Sequence, residues 1–181
     1  MALFPIDENE EATVCTASEA SCGRGIQLNG LILTNNTGLT WPGARQIIYV
    51  PFVLHSPLAQ ISKMFCGGAN GTSNCMLGIY NGDGVKLAET ASTALSNSTV
   101  AQTISLTATI SLGPGAYYFA MSVDGTTAVH GFTTTARQGA ALGVAIESTI
   151  PGSLSLPAVF TLATSDGSVP AVGFTTLTFN P

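Results

Sequence analysis

The residues of this 181-residue chain best equipped for chemistry are its four cysteines, which form two close pairs, Cys15 with Cys22 and Cys66 with Cys75. Four cysteines permit three disulfide connectivities, and spacing does not choose among them. Pairing Cys66 with Cys75 has a mechanical appeal. The residues between them, Gly-Gly-Ala-Asn-Gly-Thr-Ser-Asn, form turns readily, so a bond there would staple the mouth of a β-hairpin. Free buried thiols are the competing state. Zinc is the poorer reading, because the C-x6-C and C-x8-C separations depart from the spacing of structural zinc sites. Neither His55 nor His130 falls into a ligand pattern. Disulfides suit a protein assembled in a cytoplasm and later released better than a resident cytosolic one.

Other catalytic arrangements are not supported by motif. The chain has no G-x-S-x-G elbow, P-loop, H-E-x-x-H or strand-linked G-x-G-x-x-G. Serine is so common that a triad with either histidine can be drawn on paper, but no motif backs it. Glycoside hydrolysis needs two carboxylates roughly 5–10 Å apart. Beyond residue 19 the acids are Asp83, Glu89, Asp124, Glu147 and Asp166. The three aspartates each precede glycine, a turn position, which leaves Glu89 and Glu147. Asn81-Gly82-Asp83-Gly84 offers calcium a single carboxylate, too few for the ion, and reads as a structural turn. Trp41, Tyr49, Phe52, Tyr80, Tyr117, Tyr118 and Phe119 would suit a sugar-stacking platform, though core or subunit packing is the better reading. Consecutive Tyr117, Tyr118 and Phe119 must alternate between the faces of a strand. The expectation is a non-enzymatic protein with no cofactor and no metal.

Composition narrows the class further. Charged residues make up 8% of the chain, against about 25% in an ordinary soluble domain. Hydrophobic residues make up 45%, and mean hydropathy is +0.39. Asp7, Glu8, Glu10, Glu11 and Glu19 precede any Lys or Arg, and the rest of the chain holds five acids and five bases. The net charge of −5 therefore resides at the N-terminus, ahead of a neutral body. Little repulsion opposes self-association of such a body. The acidic segment reads either as a solvated tail or as a tether for a basic partner surface. Five scattered bases form no patch for nucleic acid. No run approaches the roughly 18 apolar residues of a membrane span, so no membrane insertion is expected. No secretory signal pattern opens the chain.

The elements that must position these residues read as strands. Residues 1–45 form an N-terminal arm, with one short strand expected at 26–33. Residues 46–181 form the folded domain. Strands are expected at 46–54, 60–66, 75–80, 85–89, 101–109, 116–123, 127–133, 142–147, 158–162 and 172–179. Pro51 places the first of these at an edge or a bulge. Ile104, Leu106, Ala108 and Ile110 alternate with Thr103, Ser105, Thr107 and Thr109, the period of a half-buried strand. The best helical window, 134–142, is short and interrupted by glycine. Ten short strands with a turn signal about every ten residues predict an all-β, antiparallel, jelly-roll-like β-sandwich.

Four features occur in order: Tyr49-Val-Pro-Phe52, then Gln60 to Phe65, then Leu77-Gly-Ile-Tyr-Asn81 with its Gly-Asp-Gly turn, then Leu112-Gly-Pro-Gly-Ala-Tyr-Tyr-Phe-Ala120. This series resembles a β-sandwich module of bacteriophage virion proteins of head-decoration, tail-fibre and appendage type. It covers residues 46–123, under half of the chain. The resemblance implies a virion structural protein, assembled in the host cytoplasm, without catalytic residues. It implies a homotrimer that buries the uncharged faces against neighbouring copies. No coiled coil or repeat is present to form a fibre shaft, so the expected role is a capsid decoration (cement) protein. Its partner would be the major capsid protein, contacted by Asp7, Glu8, Glu10 and Glu11. The alternative role is a receptor-binding tail-fibre or appendage subunit that recognises host surface glycans. A polysaccharide-active enzyme or carbohydrate-binding module ranks third.

Overall fold

The structure of the protein is a computed structural model that describes residues 37–55, 57–67, 69–70, 73–96, 101–126, 128–133, 145–147, 152–161, 164–165 and 168–175. Fourteen strands and no helix occur among them. They are β1 (Thr37–Thr40), β2 (Ile47–Leu54), β3 (Leu58–Cys66), β4 (Ala69–Asn70), β5 (Asn74–Asn81), β6 (Lys86–Glu89) and β7 (Thr93–Ala94). Then follow β8 (Gln102–Leu112), β9 (Gly115–Val123), β10 (Ala128–Thr133), β11 (Ala145–Glu147), β12 (Thr164–Ser165), β13 (Ser168–Pro170) and β14 (Val172–Phe174).

Every strand pair is antiparallel. A seven-stranded sheet runs β12-β11-β2-β9-β5-β6, with β7 also on β5. A three-stranded sheet runs β14-β3-β8, and a four-stranded sheet joins β1, β4 and β13 to β10. The all-β antiparallel class expected from the sequence is what the chain adopts.

Strands β2, β5 and β9 of the large sheet are apolar on both faces, which explains why they read as nearly continuous hydrophobic runs. On β2, Ile48, Val50, Phe52 and Leu54 enter one core, while Ile47 and Tyr49 enter another on the opposite face. Strand β9 divides the same way, with Tyr117, Phe119, Met121 and Val123 inward and Tyr118 and Ala120 outward. The inner face packs on the three-stranded sheet, giving a sandwich-like arrangement. Phe52 stacks on Phe119 with centroids 4.0 Å apart, and Phe174 of β14 meets Phe52 edge-on at 5.9 Å. Complete burial of each such ring stabilises the fold by about 1.5–3 kcal/mol. Thr107 Oγ1 donates to the Glu89 carbonyl at 2.9 Å, tying β8 to the end of β6.

Three local expectations change. Residues 60–66 and 75–80 were expected to pair across a turn, but β3 lies in the three-stranded sheet and β5 in the seven-stranded one. Ile61, Met64 and Cys66 on one strand and Cys75, Leu77 and Ile79 on the other share a core between the sheets. An eight-residue link reaches at most roughly 26–29 Å, ample for a crossing of about 10 Å between packed sheets. The arm, expected over residues 1–45, joins the body at its end. Strand β1 pairs with β10, Trp41 is buried with its indole Nε1 donating to the Gln46 carbonyl, and Arg45 N donates to the Val123 carbonyl. The expected strand over 158–162 does not form over its described residues 158–161, whose backbone pairs with the sheet at a bridge from Val159 to Val85; residue 162 lies outside the described residues. The 26–33 strand, the 134–142 window and residues 176–179 lie outside the described residues.

Other details hold in modified form. Among the described residues, β11 pairs with β2 as far as Tyr49, and Pro51 pairs with Tyr118 of β9; residues 142–144 of the expected 142–147 strand lie outside the described residues. Ile104 and Leu106 of β8 are buried as expected, but Ala108 is exposed. Register shifts between β3 and β8 near Ile61 account for that change of face.

Candidate functional site

The outer face of the seven-stranded sheet is covered by residues 152–161. Leu156 is buried there with Ile47, Tyr49, Met76, Tyr80 and Ala120, and Leu154, Tyr118 and Phe160 pack around them. Phe160 contacts Tyr49 at 4.7 Å and Tyr118 at 5.0 Å between ring centroids. Polar bonds fasten this strap at several points. The Tyr80 hydroxyl donates to the Pro157 carbonyl at 2.7 Å, and Lys86 Nζ donates to the Leu156 carbonyl at 2.8 Å. Phe160 N donates to the Gly84 carbonyl at 3.0 Å, and Arg45 Nη1 donates to the Gly152 carbonyl. No motif in the sequence marks this strap; only the double burial of the sheet below it hints at a cover.

The strap explains the glycine-isoleucine-tyrosine motif. Gly78 and Tyr80 face the strap, while Ile79 faces the inner core. A Cβ on Gly78 would lie 2.6 Å from Leu156 Cδ1, closer than any side chain tolerates. The proline-glycine-tyrosine motif is equally structural. The Tyr117 hydroxyl donates to the Gly113 carbonyl at 2.9 Å, locking the turn before its own strand.

The aromatic residues singled out for sugar stacking are therefore taken up by packing. Trp41, Tyr49, Phe52, Tyr80, Tyr117 and Phe119 are buried, and Tyr118 is half-buried against Phe160. Tyr118 does face away from Tyr117 and Phe119, as alternation requires, but it meets the strap.

The Asn81–Gly84 turn commits its own oxygen atoms. Asn81 Oδ1 accepts from Asp83 N at 3.1 Å and Val85 N at 2.8 Å. Gly84 has φ +81°, a left-handed conformation that favours glycine. Asp83 is exposed, and no cluster of three metal-ligating side chains occurs among the described residues.

Asp124 is also structural. Its carboxylate accepts from Asn74 N and Asn74 Nδ2, both at 2.8 Å, clamping β5 to the end of β9. Glu89 forms a 2.8 Å ion pair with Lys86. Glu147 lies on β11, with β2, β9 and β5 between it and Glu89 on β6. Four inter-strand steps of about 4.8 Å put roughly 19 Å between their backbones, beyond the reach of a glycosidase pair. His55 is exposed beyond β2, and His130 lies on β10 opposite Gly38. Asp166 lies outside the described residues.

Cys66 and Cys75 do come together, as two buried free thiols and not as a disulfide. They meet across the core between the sheets instead of at the mouth of a hairpin. A hydrogen bond with Cys75, then burial, then the charge that Cys75 would carry, raise the Cys66 thiol well above its ordinary pKa. Cys15, Cys22 and the acidic residues Asp7, Glu8, Glu10 and Glu11 lie outside the described residues.

No protein family, no curated protein and no solved structure matches the chain.

Proposed function

We propose that the chain is a non-enzymatic structural subunit of a bacteriophage virion, a trimeric capsid decoration (cement) protein with a jelly-roll-like body. The observation that carries this reading is how the body spends its few charges. Arg45, Lys86, Glu89 and Asp124 are all engaged in intramolecular bonds. Meanwhile Val53, Val85, Leu87 and Val159 stand exposed, with Val159 at 57%. Val85 and Val159 are bridge partners and Leu87 follows on β6, so three of the four lie on one rim. Apolar side chains exposed on a rim whose Lys86 and Glu89 already pair with each other suit contact with other protein subunits better than free solution. The resemblance of residues 46–123 to phage virion modules supports the same role. In this reading the acidic residues Asp7, Glu8, Glu10 and Glu11 reach the shell, and the partner is the major capsid protein.

Size-exclusion chromatography with light scattering at micromolar concentration tests the assembly. A trimer mass is expected, and a stable monomer overturns it. Copy number in purified virions separates shell from tail: a value near that of the shell protein is expected, and one near that of the tail favours a receptor-binding appendage. Glycan recognition by that appendage would have to use polar loops, because the rings best suited to stack on sugars are packed inside.

A further inference from the structure

We propose that Cys66 and Cys75 form a buried, oxidisable dithiol whose conversion to a disulfide ties the three-stranded sheet to the seven-stranded sheet. Cys66 closes β3 and Cys75 is the second residue of β5. The two strands belong to different sheets. Both residues are 0% exposed and belong to the same inner core. Cys75 lies close enough to Cys66 to raise its thiol above the ordinary pKa. Strand register holds each cysteine from both sides. Cys66 lies between Gln102 of β8 and Val172 of β14, and Cys75 between Val123 of β9 and Thr93 of β7. Gly67 N donates to the Ala171 carbonyl at 2.8 Å, and Asp124 clamps Asn74. The backbone just beyond Cys66 and just before Cys75 is therefore bonded into the fold, which fixes where each cysteine enters the shared core.

The pair offers no alternative chemistry of equal fit. A structural metal would need further ligands, and the described residues supply no third group. The oxidant is a low-molecular-weight disulfide. One cysteine, as its thiolate, attacks a sulfur of that disulfide, forms a mixed disulfide and expels one thiolate. The second cysteine loses its proton, attacks the protein sulfur of the mixed disulfide and expels the other. One external disulfide is reduced to two thiols, and the protein dithiol is oxidised to one disulfide. Complete burial makes the exchange wait on local opening of the fold, so it is slow compared with an exposed thiol. A pair reduced in a glutathione-rich cytoplasm and oxidised outside it would harden the body after release; that last consequence rests on the virion reading, whereas the bond itself does not.

The test uses the full chain carrying Cys15→Ala and Cys22→Ala, which leaves every described residue unchanged. The reduced protein is incubated with oxidised glutathione at about pH 8, alkylated after unfolding, and mapped by mass spectrometry. The expected result is a cross-linked Cys66–Cys75 peptide lighter by two hydrogens than the reduced pair. Thermal melting should shift upward by about 5 °C and return on adding reductant. Recovery of both cysteines as alkylated thiols after prolonged incubation, or as separate glutathione adducts, overturns the proposal. A disulfide that leaves the melting temperature unchanged overturns the staple. The same mapping on the unsubstituted chain supports the pairing if the Cys66–Cys75 link dominates, and counts against it if links to Cys15 or Cys22 dominate.

Discussion

Gly78 is confined by Leu156 Cδ1, 2.6 Å from where a Cβ would stand, and by the Ala88 carbonyl oxygen at 3.3 Å. Gly78 and Leu156 are far apart in sequence, so the glycine-isoleucine-tyrosine motif is legible as a strand but not as a docking point. Gly78→Ala should push Leu156 off the sheet and cost about 1–3 kcal/mol, the usual penalty for overpacking. Urea denaturation would report it as a lower midpoint with the slope unchanged. Cys66 supplies a pH-dependent prediction of definite sign. Its folded pKa is raised, so the folded chain keeps a proton that the unfolded chain sheds above the ordinary thiol value of 9.0. The contribution is fully present below that value and is lost as pH climbs toward the folded pKa. Stability should therefore fall above about pH 9, by at most about 1.4 kcal/mol per pH unit from this group. Urea midpoints from about pH 8 to 10 would show the decline, and Cys66→Ala should make it shallower.

Among the elements, the strap is the one that patterning fails to announce. Residues 152–161 have no regular period, and the apolar side chains that pack on the sheet are those of Leu154, Leu156 and Phe160. Their contribution comes from filling the outer face that β2, β5 and β9 leave apolar. Leu156→Ala should cost about 2–4 kcal/mol, because the side chain is buried among rings that cannot close over the gap. Near-ultraviolet circular dichroism should weaken as Tyr49, Tyr80 and Tyr118 lose their fixed neighbour, while far-ultraviolet signal persists. The strands themselves were largely readable. Runs such as Ile-Ile-Tyr-Val and Ala-Tyr-Tyr-Phe-Ala-Met carry the β-branched and aromatic residues that favour extended backbone. Their partners were not readable. The glycine-rich link between β3 and β5 serves a hairpin and a crossing equally well, and only the shared core residues select the crossing.

For the whole molecule, the body begins earlier than the composition break implies. Trp41 is the sole tryptophan, and it is 1% exposed in the inner core. Removing residues 1–36 should leave far-ultraviolet circular dichroism and blue-shifted tryptophan emission intact. Extending the deletion through residue 45 removes β1, Trp41 and the Arg45 contacts. Loss of a buried tryptophan alone costs about 3–5 kcal/mol, against total stabilities of about 5–15 kcal/mol. The longer deletion should be largely unfolded or insoluble, and the same spectra would check it. Capsid attachment through the acidic segment can then be tested with the shorter deletion, whose fold is expected to survive.

The sequence by itself determined the all-β antiparallel class, most strand positions, the turns and the segregation of charge to one end. Those properties follow from local alternation, turn chemistry and composition, which act over a few residues. Tertiary structure alone decided which strands share a sheet and that the platform-like aromatics are core. It also decided that Cys66 and Cys75 meet between sheets. Each of these depends on contacts between distant segments, and burial is a property of the assembled surfaces that no single segment encodes.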